Sequence, residues 1–166
     1  MIIVIPVVVI SFFLESIFSN FVAIDSLLFI PLFTIISLVI IYPYFSNNDF
    51  KYLKYCAIIG LCYDIIFTNT LILNMVVFLS IGLIIKLVNI FISNNPLNVI
   101  LISLISITFY RVITYFLLVI INFVSFNFNV LLKGVYSSLI INLAYGIIVY
   151  LLTDYLSKKH RVSKID

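Results

Sequence analysis

The sequence predicts an all-α fold, a polytopic membrane bundle of about six transmembrane helices. Of the 166 residues, 65% are hydrophobic and 9% are charged, and the mean hydropathy is +1.36. These values lie far outside those of soluble globular domains. A membrane-spanning helix needs roughly 20 mostly apolar residues, so a chain of this length with short loops accommodates about five to seven spans. We expect one integral membrane domain that covers residues 1–166.

The apolar runs are continuous and do not alternate, which favours helices over a membrane β-barrel. We place the spans at about residues 2–18, 26–44, 53–69, 72–92, 97–122 and 132–156, followed by a short basic tail at 157–166. The breaks "SNNDF", "SNNPLN" and "NFNV" contain the Asn and Pro residues that favour turns. The first run, "MIIVIPVVVISFF", lacks the basic region and cleavage site of a secretory signal, so we expect a retained first span.

The distribution of Lys and Arg predicts the orientation, because cations near span ends are retained on the cytoplasmic side. If the first span runs outward, seven cations lie on the cytoplasmic side, namely Lys51, Lys54, Lys86, Lys158, Lys159, Arg161 and Lys164. The opposite side keeps Lys133 alone. This asymmetry predicts a multi-pass protein of the plasma membrane with both termini in the cytoplasm.

Two charged residues, Asp64 and Arg111, are predicted to lie deep in the membrane. An isolated charge at the bilayer centre costs roughly 2.5 to 3.5 kcal/mol, so each side chain needs a partner. Their depths differ by about one helical turn, and we expect an ion pair between them that fixes the register of the bundle. A substrate or proton site is the functional alternative. Glu15, near the outer end of its span, and His160, in the tail, offer no visible links for a proton relay.

Small residues recur on two predicted helices. Ala57, Gly60 and Asp64 share one face of the third span. On the sixth span the positions recur every fourth residue: Gly134, Ser138, Asn142 and Gly146. Membrane helices use such patterns to bring backbones close together. The sixth-span pattern is compatible with packing inside the bundle and with a docking seam for another membrane protein.

The sequence contains no recognisable catalytic or cofactor-binding constellation. His and Cys residues lack metal-ligand spacing, no Gly-rich loop is suited to phosphate, and Asp64 is the single Asp at membrane depth. We therefore expect no enzyme activity, no metal and no cofactor. Membrane lipid is an expected partner, and nucleic acid is not.

The segment "GLCYDIIFTNTLILNMVVFLSIGLIIKL", residues 60–87, resembles the MreD family of rod shape-determining proteins. The matching positions are Gly60, Asp64, Asn74 and Gly82, whereas Thr68 and Ile72 stand where the family often has Gly. The resemblance implies a noncatalytic component of the bacterial elongation machinery that binds an MreC-like protein. Through that protein it implies contact with MreB filaments, the RodA glycan polymerase and a class B penicillin-binding transpeptidase.

A substrate-binding subunit of an energy-coupling-factor vitamin transporter is the main alternative, since it is similar in size and span number. Such subunits usually carry small residues on the first span to dock the transport module. Here the first span offers Ser11, Glu15 and Ser19 at that spacing. A small channel or exporter would need a polar stripe along one span, and no span provides one.

Overall fold

The computed structural model describes residues 3–21, 30–45, 48–68, 72–91 and 96–160, and within these ranges it contains six α-helices and no strands. The helices are α1 Val4–Phe21, α2 Phe33–Ile41, α3 Asp49–Tyr63, α4 Leu73–Phe91, α5 Pro96–Ile120 and α6 Phe128–His160. A 3-10 turn, Tyr42–Phe45, continues α2, and a π-helical turn, Asp64–Thr68, continues α3. The predicted all-α membrane bundle is confirmed.

Among the described residues, α5 and α6 are long and apolar enough to cross a membrane, and α1, α2 with its 3-10 turn, and α4 are shorter apolar helices. Large apolar side chains cover the outside of the bundle. Ile140 on α6, for example, is 73% exposed, and Phe13 on α1 is 63% exposed. Lipid is the solvent that suits this surface.

Helix α2 lies at the centre of the bundle. All nine of its residues are buried, and it packs against α1, α5 and α6. A helix that is apolar on every side is typically buried in a protein core or spans a membrane. At 1.5 Å per residue α2 is about 13 Å long, shorter than the hydrocarbon core. The predicted span at 26–44 began earlier, but residues 22–29 lie outside the described ranges, and within those ranges α2 begins inside the bundle.

The remaining helices pack as neighbouring pairs, α3 with α4 and α5 with α6. Lys86 of α4 forms an ion pair with Asp49 at the start of α3, with 3.0 Å between Nζ and Oδ2. The connection from α5 to α6 includes Asn122 in the left-handed region, with φ of 58°, which Asn adopts more readily than most residues. Asn127 N donates to the Tyr115 hydroxyl at 2.7 Å and fixes this turn to α5.

Candidate functional site: a polar network inside the bundle

Asp64 caps the N-terminus of α4. Its Oδ1 accepts from Asn74 N at 2.9 Å and from Asn74 Nδ2 at 3.0 Å, and its Oδ2 accepts from Met75 N at 3.1 Å. These backbone amides belong to the first turn of α4, where they have no partner within the helix. The carboxylate also lies at the positive end of the helix dipole. The fully buried carboxyl group is thereby held by the first turn of α4.

Thr68 completes this cap. Its hydroxyl lies 3.4 Å from Asp64 Oδ1 and accepts from Asn74 Nδ2 at 3.1 Å. The π-helical turn that contains Thr68 begins at Asp64 and joins the cap to α3. Thr68, which bonds to the cap, therefore stands at one of the two positions where the MreD family often has Gly.

Two glycines, one on each helix, bring α3 and α4 together. A Cβ atom on Gly60 would lie 2.6 Å from Asn74 O and 2.7 Å from Met75 Cα, too close for any other residue without a backbone shift. A Cβ atom on Gly82 would lie 2.8 Å from Cys56 Sγ. The motif residues Gly60, Asp64, Asn74 and Gly82 thus form one device that closes the α3–α4 hairpin.

A second carboxylate, Glu15 of α1, caps the N-terminus of α2. Its Oε2 accepts from Thr34 N at 2.7 Å. Asn142 of α6 contributes to the same end, because its Oδ1 accepts from Leu32 N at 2.6 Å and its Nδ2 donates to Ile30 O at 2.9 Å. Glu15 is 1% exposed and Asn142 is 0% exposed. The start of α2 inside the bundle is therefore satisfied by side chains from α1 and α6.

Two tyrosines connect the two caps. Tyr63 donates its hydroxyl to Glu15 Oε1 at 2.8 Å, and the Tyr63 and Tyr110 hydroxyls lie close enough to interact. Tyr110 in turn lies 3.5 Å from Asn74 Oδ1, and Asn74 bonds to Asp64. A continuous chain of polar groups therefore runs through the bundle from one buried carboxylate to the other.

The predicted ion pair between Asp64 and Arg111 is wrong. Among the described residues the ion pairs within 4 Å are Lys86–Asp49 and Lys158–Asp154. Asp64 is occupied by the amides of α4, and Arg111 donates from Nε to Ser138 Oγ at 3.3 Å. The charge of Glu15 also acts on Arg111, as a smaller influence than burial and the hydroxyls of Tyr110 and Tyr63. The pairing of Asp64 with Arg111 was inferred from their similar depth in the membrane. Whether two side chains meet also depends on which helices are neighbours in the bundle.

The network holds the ends of helices in place. Within the described ranges no three His, Cys, Asp or Glu side chains are grouped closely enough to hold a metal ion. Both buried carboxylates accept hydrogen bonds on each of their two oxygens. Carboxylates whose oxygens all accept hydrogen bonds from other segments favour one arrangement of the helices that share them.

Comparison with known families identifies one family that covers nearly the whole chain. The model of the family described as rod shape-determining protein MreD matches residues 1–160 of this 166-residue chain. The chain belongs to the MreD family. The predicted resemblance is confirmed, and MreD membership makes the protein a membrane component of the system that determines rod shape. No curated protein and no solved structure matches the chain.

The small-residue pattern of α6 in this MreD protein is largely occupied inside the bundle. A Cβ atom on Gly146 would lie 3.3 Å from Ile36 Cγ2 of α2. Ser138 accepts from Arg111, and Asn142 bonds to the segment before α2. Gly134 differs, because a Cβ atom there would meet nothing within 4 Å. Three of the four positions therefore face other helices of the same chain.

The sequence interpretation missed Glu15, which it placed near the outer end of its span and outside any network. A signal was available, because Ser11 and Glu15 lie four residues apart on one face of an apolar helix. Both are buried, and Ser11 Oγ lies 2.7 Å from the Tyr145 hydroxyl of α6. Ser19, the third residue of that spacing, is exposed. Two polar groups in register on a membrane helix indicate a face that contacts protein.

Proposed function

We propose that this MreD-family protein is a noncatalytic scaffold of the bacterial cell-elongation complex and acts by binding an MreC-like membrane protein. The match of the family over residues 1–160 carries the proposal. Through the MreC-like protein the scaffold would contact MreB filaments, RodA and a class B penicillin-binding transpeptidase indirectly.

The use of polar groups inside the bundle supports a scaffold. Asp64, Glu15 and Asn142 satisfy the ends of helices, so their bonding capacity is used to maintain one packed shape. The outer surface consists of large apolar side chains, which are suited to lipid and to the helices of another membrane protein. A rigid body with an apolar exterior can position a partner without chemistry of its own.

We propose the orientation that the cations indicate, with six spans and both termini in the cytoplasm. The Lys86–Asp49 ion pair supports it, because it keeps one of those cations beside the start of α3, which also carries Lys51 and Lys54. Reporter fusions after Asn48, Asn69, Asn95 and Asn127 should read inside, outside, inside and outside. A reversed or five-span pattern contradicts the proposal.

Depletion and co-purification test the function together. Depletion in a rod-shaped host should give rounded cells, the intact chain should restore the rod shape, and an MreC-like protein should co-purify with the tagged chain. If depleted cells keep their normal shape and the purified protein binds a vitamin at nanomolar concentration, the scaffold hypothesis is wrong. The transporter-subunit hypothesis would then take its place.

Two matched variants locate the docking face. Phe13→Trp on α1 and Ile140→Trp on α6 change exposed positions on different helices, so both should fold. If the partner uses one of these faces, the Trp on that face should reduce co-purification and the other should not. If the MreC-like protein still co-purifies with both variants, it docks on another face.

A further inference from the structure

A groove of about 220 Å³ lies between α1 and α6, which both pack against α2. Val7 and Ile10 line it from α1, and Val149, Leu152 and Leu156 line it from α6. Ile10 and Leu152 are 55% and 56% exposed, so they form its two rims. Hydrocarbon is an occupant that suits an apolar groove on the outside of a membrane bundle.

The length of the groove matches one leaflet of the membrane. Its deep end is closed where the Tyr145 hydroxyl of α6 lies 2.7 Å from Ser11 Oγ of α1. Tyr145 is near the middle of the uncharged stretch of α6 between Lys133 and Asp154. Leu156 lies eleven residues after Tyr145, about 16 Å along the helix axis, and half of the hydrocarbon core is about 15 Å. A transmembrane helix would need a contact surface through both leaflets, whereas an acyl chain needs one, so the length favours a lipid.

A cation continues the groove-lining face of α6 beyond the open end. Positions 145, 149, 152 and 156 follow the alternating spacing of four and three residues that keeps one helix face, and the next position in this series is Lys159. Lys159 is exposed. Lys158 lies on another face, where its Nζ forms an ion pair with Asp154 Oδ2 at 2.8 Å. The groove therefore has hydrocarbon walls inside the membrane and a cation at its surface end.

We infer that this groove binds an acyl chain of an anionic phospholipid, whose phosphate group contacts the Lys159 ammonium. The cation selects the lipid, because phosphatidylcholine offers the same acyl chains without net charge, and basic residues at a membrane surface attract anionic lipids. The polarity of the groove agrees with that of a leaflet, since Lys159 lies nearer the end of α6 than every apolar residue of the lining. The inference concerns a lipid ligand and does not depend on the proposed partner.

Fluorescence quenching in vesicles tests the inference, because the chain contains no Trp and one introduced Trp reports on its own surroundings. The full chain is placed in phosphatidylcholine vesicles that contain a small fraction of phosphatidylglycerol, with bromine on the acyl chains of one lipid or the other. Leu152→Trp should contact phosphatidylglycerol about fivefold more often than its share of the lipid. Ile140→Trp is the matched control, because it is exposed on another face of α6, and it should contact both lipids in proportion to their share.

Charge variants in the Leu152→Trp background identify the cation. Lys159→Met should lower the enrichment to the level of Ile140→Trp, and Lys159→Arg should retain it. Lys54→Met removes an exposed cation on α3 and should leave the enrichment intact, which separates a site at the groove from general attraction to a basic surface.

Ile10→Trp, on the opposite rim, repeats the measurement and decides the result if the indole of Leu152→Trp fills the groove. Proportional contact with both lipids at both rims would overturn the inference. Enrichment that persists in a folded Lys159→Met variant would also overturn it, because the headgroup would then lie elsewhere. Protection of both rims from both brominated lipids would mean that a second copy of the chain covers the groove, and the lipid assignment would be wrong.

Discussion

Helices α4 and α2 both begin inside the bundle, and each has a carboxylate from another segment at its first turn. The cap of α4 is local, because Asp64 lies ten residues before Asn74. The cap of α2 is distant, because Glu15 lies 19 residues before Thr34 and Asn142 lies 110 residues after Leu32. The same physical problem, unpaired amides away from water, is solved at two different ranges in sequence.

The difference in range has a consequence for assembly. The α3–α4 hairpin can satisfy its own cap as soon as the two helices meet, since Asp64 and both glycines of the motif lie within it. The start of α2 is satisfied only when α1 and α6 have both packed against it. We therefore expect the hairpin to be a unit that survives damage at α2, whereas α2 depends on the whole bundle.

The largest effect is expected from Asp64→Leu, which breaks the local cap. Two backbone amides and the Asn74 amide group lose their acceptor. At roughly 1 to 3 kcal/mol for each unsatisfied buried donor, the free energy of unfolding should fall by about 3 kcal/mol or more. Thermal unfolding in detergent, followed by circular dichroism, measures the loss. A midpoint equal to that of wild type would contradict the capping role.

A thiol probe checks where that damage lies. Cys56 is buried against Gly82 in the hairpin and Cys62 is exposed. In a Cys62→Ser background, Asp64→Leu should make Cys56 react with a membrane-permeable maleimide much faster than in the parent. If Asp64→Leu lowers the unfolding midpoint but Cys56 still reacts slowly, the hairpin does not depend on its cap.

A smaller effect is expected from Glu15→Leu, which breaks half of the distant cap. Thr34 N and the Tyr63 hydroxyl lose their acceptor, but Asn142 still holds the backbone before α2. The expected loss is about 2 kcal/mol. Labelling of Cys56 should stay slow, because the cap between Asp64 and α4 is untouched. Fast labelling would show that the two caps are one cooperative unit, joined through Tyr63 and Tyr110.

The same contrast explains which features the sequence could predict. The resemblance to the MreD family picked out Gly60, Asp64, Asn74 and Gly82, which act on each other within a short segment. The capping role of Asp64 was not predicted, because the sequence interpretation assigned Asp64 to Arg111. Glu15 was misjudged because its partners belong to other helices. The spacing of Ser11 and Glu15 indicates that this face of α1 contacts protein, but it does not identify the helices that it contacts. Arg111 was paired with the wrong carboxylate for the same reason, since its depth is encoded locally and its neighbours are not.

Two glycine substitutions, one in the α3–α4 hairpin and one on α6, should have moderate effects on stability. Gly60→Ala places a methyl group against the backbone of α4, and overpacking of this kind costs typically about 1 to 3 kcal/mol. Gly134→Ala is the matched control, because its methyl group meets nothing within 4 Å and Ala favours the helix by about 0.5 to 1 kcal/mol. Unfolding midpoints should move in opposite directions. A loss at both positions would mean that the α6 glycine is also a contact point.

The smallest effect, and the most direct test of the network, is the coupling of Arg111 to each carboxylate. The variants Glu15→Gln and Asp64→Asn keep the side-chain shapes and remove the charges, whereas Arg111→Gln removes the charge with a shorter side chain. Two double-mutant cycles compare the pairs. Because Glu15 acts on Arg111 and Asp64 is held by the amides of α4, the Glu15 cycle should give a coupling of about 1 kcal/mol and the Asp64 cycle should be additive within about 0.5 kcal/mol. The reverse result would restore the pairing inferred from depth and would mean that the amides of α4 do not account for the charge of Asp64. Additivity in both cycles would show instead that Arg111 is balanced by a group outside the network.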